Sequence, residues 1–291
     1  MYVPTPDQKK TRKIPTLNVD TVVFDFEDGV ALNQKDVARH LIQDTLGTCR
    51  APNTEHVVRV NGSDSGLLDA DLKAVFGGNP SPSKLPDALM LPKVENTEHL
   101  QQLELSLLPY CSSLPSPLPL FAIIESPMAL LNLRTICEFG IYQARMFKLC
   151  ALVFGSDDFI ALLGGTRTAG ATELIYARQS VVTHAKAFGM DAIDMVDIEY
   201  KNLDNLKCQA LEGARMGYTG KQVIHPNQVP VVQGAFSPSE DQVRWARGLI
   251  TAFEENQKAG KGAFEYDGKM IDRPLLLQAR NIISCYDTTS K

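Results

Sequence analysis

The sequence predicts an α/β protein, a (β/α)8 TIM barrel with a C-terminal helical lid extension, on three observations. Short apolar runs recur along the chain, amphipathic helical stretches separate them, and each run ends in a charged or polar tip. Continuous apolar runs of about 4–8 residues rich in Val, Ile, Leu and Phe suit strands buried on both faces, as in a parallel sheet covered by helices.

The first strand is the short Tyr2-Val3. TVVFDFEDG (21–29), HVVRVNG (56–62), ALMLPKVE (88–95), LPLFAIIES (118–126), LCALVFGSDD (149–158), DAIDMVD (191–197) and KQVIHP (221–226) follow as strands with their tips. Helical periodicity fills the intervals at 33–46, 67–76, 97–108, 129–139, 173–188 and 203–217. Asn33 and Asn96 stand where N-caps belong, and Gly189 and Gly217 follow two helices as C-terminal glycines do. Eight strands in strict alternation with helices favour a closed barrel over an open doubly wound sheet. An open sheet would often carry a Gly-rich phosphate loop, and neither G-x-G-x-x-G nor a Walker pattern follows an early strand. Gly164-Gly165-Thr166 reads as a flexible loop. Beyond the repeat, 237–258 reads as an outer helix with a Ser cap. A Gly-bearing segment (259–274) then leads into a last helix at 275–286. Glycines at 260, 262 and 268 suggest mobility there, as in a lid over the barrel mouth or equally a docking tail. The expected domains are a catalytic barrel, 1–258, and a lid segment with its helix, 259–291.

At 291 residues the chain is longer than the roughly 250 of a typical barrel, so one barrel plus an extension fits best. Hydrophobic residues are 44% and charged residues 22%, enough apolar material for a large core. A net charge of −5 argues against nucleic acid as a partner, because phosphate backbones require a basic surface. Lys9, Lys10, Arg12 and Lys13 form the one dense basic cluster, a solvated turn or a holder of a phosphorylated cofactor. Six cysteines without Cys-x-x-Cys spacing fit buried thiols in a reducing compartment rather than zinc or disulfides. Asn61-Gly62-Ser63 matches a glycosylation pattern but reads as a turn at a strand tip. No stretch is apolar and long enough to span a bilayer, so no membrane partner is expected, while a removed targeting peptide stays open.

In a barrel, the tips Asp25, Glu27, Asp28, Arg59, Lys93, Glu125, Asp157, Asp158 and His225 ring the carboxyl end, where such folds carry their chemistry. Each tip alone could simply cap a helix. Capping does not explain acids, Arg and Lys recurring at the same place. Glu125 and Asp157-Asp158 put carboxylates on adjacent tips without a Cys or His cluster, which suits a hard cation such as Mg²⁺. The same charges suit a structural network with Arg59 or Lys93 equally well.

YVP (2–4), FDFEDGVA (24–31), VRVNG (58–62), LPKVE (91–95), IIESP (123–127), FGSDDF (154–159), YARQ (176–179), GYTGKQVIHPNQV (217–229) and GKGAFEYDGKMIDRP (260–274) add a further signal. Through them the sequence resembles the citrate lyase β-subunit-like family of HpcH-HpaI aldolases, in order over nearly the whole chain. The resemblance implies a magnesium-dependent lyase, with Mn²⁺ as the alternative cation. It would cleave citramalyl-CoA to acetyl-CoA and pyruvate, with malate synthase and thioesterase side activities. It implies that Glu125 and Asp158 bind the metal and that Arg59 contacts the keto-acid half. Tyr2, Lys9, Lys13, Ile224 and His225 would hold substrate and coenzyme A. Asp272 would be the catalytic acid, on a lid reaching over a neighbouring subunit of a homotrimer. The residues alone would make Asp272 a helix cap ahead of Pro274. The resemblance further implies a mitochondrial matrix location. Thr5-Pro6 departs from the glycine common in relatives, and Thr-Pro brings backbone less close to a ligand than glycine does, while Asp157 replaces a frequent Glu. Rival readings are a malyl-CoA or citryl-thioester lyase, which would share the metal and Arg sites, and a non-catalytic acyl-CoA-binding subunit.

Overall fold

A computed structural model describes residues 1–112, 114, 117–258, 260 and 262–289, with the side chains of 288 and 289 left aside. The expected lid segment, 259–291, therefore has both of its ends outside the described residues. Eight strands hydrogen-bond in chain order: β1 (Tyr2–Pro4), β2 (Thr21–Asp25), β3 (Glu55–Arg59), β4 (Ala88–Leu91), β5 (Leu118–Ile124), β6 (Phe147–Phe154), β7 (Asp191–Asp194) and β8 (Gly220–Lys221). Every ladder between neighbours is parallel. The helices are α1 (Gln8–Thr11), α2 (Lys35–Thr48), α3 (Leu68–Phe76), α4 (Thr97–Leu107), α5 (Pro127–Leu131), α6 (Leu133–Glu138), α7 (Ser156–Leu163), α8 (Ile175–Ala187), α9 (Leu203–Met216), α10 (Val229–Phe236), α11 (Glu240–Lys258) and α12 (Arg273–Thr289). No described helix is long and apolar enough to cross a membrane.

The chain forms two compact units, Met1–Val232 and Gln233–Lys291. In the first, the sheet curls so that Val23, Val57, Ala88, Met90, Ile123 and Val153 from successive strands meet in one buried cluster, with Tyr2, Phe121 and Ile193 against it. Convergence of alternate residues onto one interior is what parallel strands with helices outside produce. Tyr2 N donates to Val223 O at 3.1 Å, linking β1 to the chain just past β8.

Helix chemistry explains where the elements differ from expectation. The sixth apolar run stops as a strand at Phe154. Gly155 caps α7, so Asp157 and Asp158 lie in its first turn rather than at a strand end. Gly164, expected in a flexible loop, is the left-handed cap closing that helix, with φ of 72°. The expected helix at 129–139 is two short helices broken at Asn132, whose backbone leaves helical geometry at φ −98°, ψ 5°.

In the second unit α11 and α12 share a core of Ala246, Leu249, Phe264, Ile271, Leu276 and Ala279. The division falls ahead of the expected boundary at 258, because the outer helix buries its apolar face on this unit's own elements. Two short antiparallel strands, β9 (Phe264–Tyr266) and β10 (Lys269–Ile271), form a hairpin there. Asp267 at φ 53° and Gly268 at φ 71° make its two-residue turn, the arrangement Asp-Gly favours because both positions need positive φ. Part of the stretch expected to be mobile is thus a hairpin seated in a core.

A buried polar cluster ties the last strands together. Arg178 holds Asp194 through Nε at 3.1 Å and Nη2 at 2.8 Å, and Lys221 Nζ donates to Met195 O at 2.7 Å. Burial lowers the Lys221 amine to about 8, with Asp194 offsetting part of the cost. The penalty for burying the ammonium is felt in full below pH 8. It disappears as pH rises to about 10.4, where the unfolded lysine also loses its proton. Lys221→Met removes this penalty. Its stability relative to wild type is therefore expected to be most favourable at pH 7 and to fall by about 2–3 kcal/mol by pH 10, at about 1.4 kcal/mol per unit. Urea unfolding at both pH values measures this, and a difference independent of pH contradicts it.

Candidate active site

Parallel register sets the tips of the first unit level with one another. Asp25 on β2 pairs directly with Arg59 on β3, and Ile124 with Phe154, so Glu125 and the start of α7 leave the sheet side by side. Asp25 is nearly fully buried and grips Arg59 bidentately, Nε to Oδ1 and Nη2 to Oδ2, both at 2.7 Å. Glu27, also buried, takes Arg59 Nη1 at 2.9 Å and Lys93 Nζ at 2.8 Å. Burial works against the Arg59 charge, but the hydrogen bonds and charge of Asp25 and the charge of Glu27 more than offset it and hold the guanidinium ionised. Asp25 also accepts from the amides of Glu27 and Gly29 at 2.9 Å each. A Cβ at Gly29 would fall 2.3 Å from Asp25 Oδ2, so the glycine is what lets this turn close on the carboxylate.

Glu125 is positioned by backbone. Lys93 adopts φ of 57°, uncommon for a side-chain-bearing residue, and its amide donates to Glu125 Oε1 at 2.6 Å. On the other side, a Cβ at Gly155 would lie 2.6 Å from both Cβ and Oε2 of Glu125. The carboxylate thus sits tight against the β6–α7 turn that brings in Asp158. Burial first, then the charges of Asp158 and Glu27, push the Glu125 carboxyl up to about 8.

This donor set fits a divalent cation. Among the described residues no group of three or more His, Cys, Asp or Glu is arranged for a metal, and the site offers the carboxylates of Glu125 and Asp158. Two carboxylates suit a hard ion that takes its remaining ligands from water and substrate oxygens, and a bound cation would relieve the crowding of negative charge at Glu125.

Tyr2 flanks the pair. Its ring centroid lies 4.9 Å from the Arg59 guanidinium carbon, and its hydroxyl donates to Gln222 Oε1 at 2.9 Å. Thr5, in the loop that departs from the usual glycine, is buried and donates through Oγ1 to Asp25 O at 3.0 Å, fastening that loop to β2. Ile224 is exposed, while His225 stacks on Tyr200 with ring centroids 4.9 Å apart. Asn227 N donates to His225 Nδ1 at 3.2 Å, so this ring caps the turn at Pro226–Gln228. Lys9 and Lys13 are exposed, on α1 and just after it, with Asp7 capping the helix through Lys10 N at 3.1 Å.

The structure therefore brings Tyr2, Arg59 and Glu125 together with Asp158, and sets Lys9, Lys13, Ile224 and His225 on segments that follow β1 and β8. Asp272 belongs to the second unit. There it is exposed between β10 and α12, its carbonyl accepting from Leu276 N at 3.2 Å and its Oδ1 from Leu275 N at 3.5 Å. Sequence reasoning set Asp25, Glu27 and Lys93 among the tips and left open a charge network with Arg59 or Lys93, the network these ion pairs form, but it missed the roles of Gly155 and Gln222. A Gly-Ser step before an acidic pair, as in FGSDD, was the available signal for Gly155.

An eight-stranded parallel sheet with carboxylates and an arginine gathered at its carboxyl edge has the layout of a small-molecule enzyme of the α/β class. The chain belongs to the HpcH/HpaI aldolase/citrate lyase family, whose model matches residues 1–226. It is 47% identical over 289 residues to the mitochondrial citramalyl-CoA lyase of Rattus norvegicus, covering 98% of this chain and 84% of that protein. It is 29% identical to a (3S)-malyl-CoA thioesterase of Cereibacter sphaeroides over 98% of this chain and 92% of that one. Among solved structures it is similar to CitE from Mycobacterium tuberculosis in complex with magnesium, acetoacetate and coenzyme A. The TM-score is 0.78 at 27% identity, with 98% of this chain and 96% of that chain covered.

Proposed function

We propose that the protein is a magnesium-dependent carbon–carbon lyase that cleaves (3S)-citramalyl-CoA to acetyl-CoA and pyruvate. The observation that carries this reading is the crowding of Glu125 and Asp158 beside an arginine clamped by two buried carboxylates. The 47% identity to a citramalyl-CoA lyase supports the choice of thioester. Glu125 and Asp158 would hold Mg²⁺, with Mn²⁺ as an alternative, and the ion would supply Lewis-acid chemistry to the pyruvate half.

The remaining work falls to side chains. Asp25 takes two of the five N–H donors of Arg59 and Glu27 forms an ion pair with Nη1, leaving donors free to stabilise the oxygen that becomes the pyruvate carbonyl. As the carbon–carbon bond breaks, its electron pair passes to the acetyl thioester as an enolate. The substrate hydroxyl loses its proton to water and the enolate carbon gains one from Asp272, which recovers a proton from water, so no net proton is consumed. In the condensation direction Asp272 removes that proton from carbon. Tyr2 walls the keto-acid pocket, Ile224 and His225 flank the acyl-CoA, and Lys9 and Lys13 attract its phosphates.

The sheet acts as a closed (β/α)8 barrel, a reading supported by the Tyr2 N to Val223 O bond. Residues 259–291 form the lid that carries Asp272, delivered to a neighbouring subunit of a homotrimer; an exposed carboxylate fixed between a hairpin and a helix start suits that task. Condensation of glyoxylate with acetyl-CoA or propionyl-CoA, giving malate synthase and β-methylmalate synthase activity, and hydrolysis of the thioester are side activities; the likeness to a malyl-CoA thioesterase supports the last. The protein works in mitochondria, in the matrix, by analogy with the compartment in its relative's name. The test is kcat/KM for citramalyl-CoA, malyl-CoA and citryl-CoA in parallel. Citramalyl-CoA is expected to lead. A clear preference for malyl-CoA or citryl-CoA reassigns the substrate, and turnover of none of them with intact CoA binding overturns the enzyme reading.

A further inference from the structure

We propose that Gln222 is a positioning residue for the keto-acid half of the site and acts through Tyr2; this rests on the reading of Arg59 and Tyr2 as that half's wall. The Gln222 side chain, one residue past β8, sits where β1, β6 and β7 meet. Its Nε2 donates to Phe154 O at 2.8 Å and to Asp194 O at 3.1 Å, the ends of β6 and β7. Both amide protons are thereby committed. A flipped amide would set its oxygen against two carbonyl oxygens, so Oε1 must face Tyr2.

The orientation of the tyrosine follows. An amide oxygen has no proton to give, so at 2.9 Å the Tyr2 hydroxyl must be the donor. Its alternative acceptor, Met90 Sδ at 3.3 Å, is the weaker one. A hydroxyl has one proton, and this one is spent on Gln222. Tyr2 therefore cannot donate a hydrogen bond to a substrate carboxylate. What it offers the site is a ring held in place against Arg59, whose guanidinium carbon lies 4.9 Å from its centroid. Gln222 also connects the β6 end, from which the Asp158 turn departs, to the same ring, so one amide couples the metal side of the site to its arginine side.

The test is the affinity of the magnesium-loaded protein for pyruvate, measured by titration calorimetry, with KM and kcat for condensation alongside. The variants are Tyr2→Phe, Gln222→Met, the double variant and Arg59→Lys. Tyr2→Phe and Gln222→Met are each expected to weaken pyruvate binding about fivefold, the worth of one hydrogen bond. The double variant is expected to fall within about twofold of the weaker single one, because both changes cut the same link. KM is expected to rise with these losses while kcat stays within about threefold, as a loss of binding that is uniform along the reaction requires. Wild-type affinity in Gln222→Met, or losses that multiply in the double variant, overturns the proposal. If Gln222→Met does not fold, Tyr2→Phe decides alone: a fivefold loss supports the link and wild-type affinity removes it. Unchanged affinity in Arg59→Lys overturns the underlying reading of the site, and the proposal with it. Weakened binding there, with additive Tyr2 and Gln222 effects, overturns the role of Gln222 only.

Discussion

Asp272→Asn is expected to lower kcat for citramalyl-CoA cleavage by about 10²–10⁴-fold, the usual worth of a positioned acid or base. The choice of asparagine matters because Asp272 also stands at the start of α12, where its Oδ1 accepts from Leu275 N and its carbonyl from Leu276 N. Asparagine caps helices about as well as aspartate, so this variant keeps the cap and removes only the proton. Thermal stability and magnesium affinity should remain near wild type. Asp272→Ala should lose a similar amount of activity and, in addition, about 1 kcal/mol of cap stability. Activity near wild type in the asparagine variant would make Asp272 a cap and nothing more.

Glu125→Gln is expected to weaken magnesium binding by more than about 100-fold, since it removes one of two protein carboxylates from a cation whose affinity follows ligand charge. Calorimetry with Mg²⁺, or paramagnetic resonance with Mn²⁺, reads this without turnover. The substitution keeps the volume and can still accept from Lys93 N, now 2.6 Å from the carboxylate. It also removes a buried acid that Asp158 and Glu27 already disfavour as a charge. The metal-free variant should therefore unfold no earlier than wild type, which separates a binding defect from a folding one. Unaltered metal affinity would take Glu125 out of the site.

Much of this was readable in the chain because strand tips are readable. TVVFDFEDG and HVVRVNG announce two buried strands, and parallel register then forces Asp25 and Arg59 into contact. The register itself is what the sequence leaves unwritten, so the grip of Asp25 on Arg59 emerges only with the fold. Other features depend on backbone geometry that residue type hides. Lys93 takes a conformation usually left to glycine, and nothing in LPKVE signals it. In FGSDD the apolar run was continued to its acids, although the glycine and serine mark a helix start. The Asp267-Gly268 hairpin was legible from flanking FEY and KMI and was passed over in favour of mobility. Gln222 lies within GYTGKQVIHPNQV, but nothing there singles it out, because its three hydrogen-bond partners are far away in sequence.

The central claim is tested most directly by stripping the protein of metal, supplying citramalyl-CoA, and following acetyl-CoA and pyruvate before and after adding Mg²⁺. The account predicts no release without metal and equimolar release of both products on its return, lost again in Glu125→Gln. Cleavage that proceeds equally in stripped protein, or no cleavage with magnesium present, would contradict it.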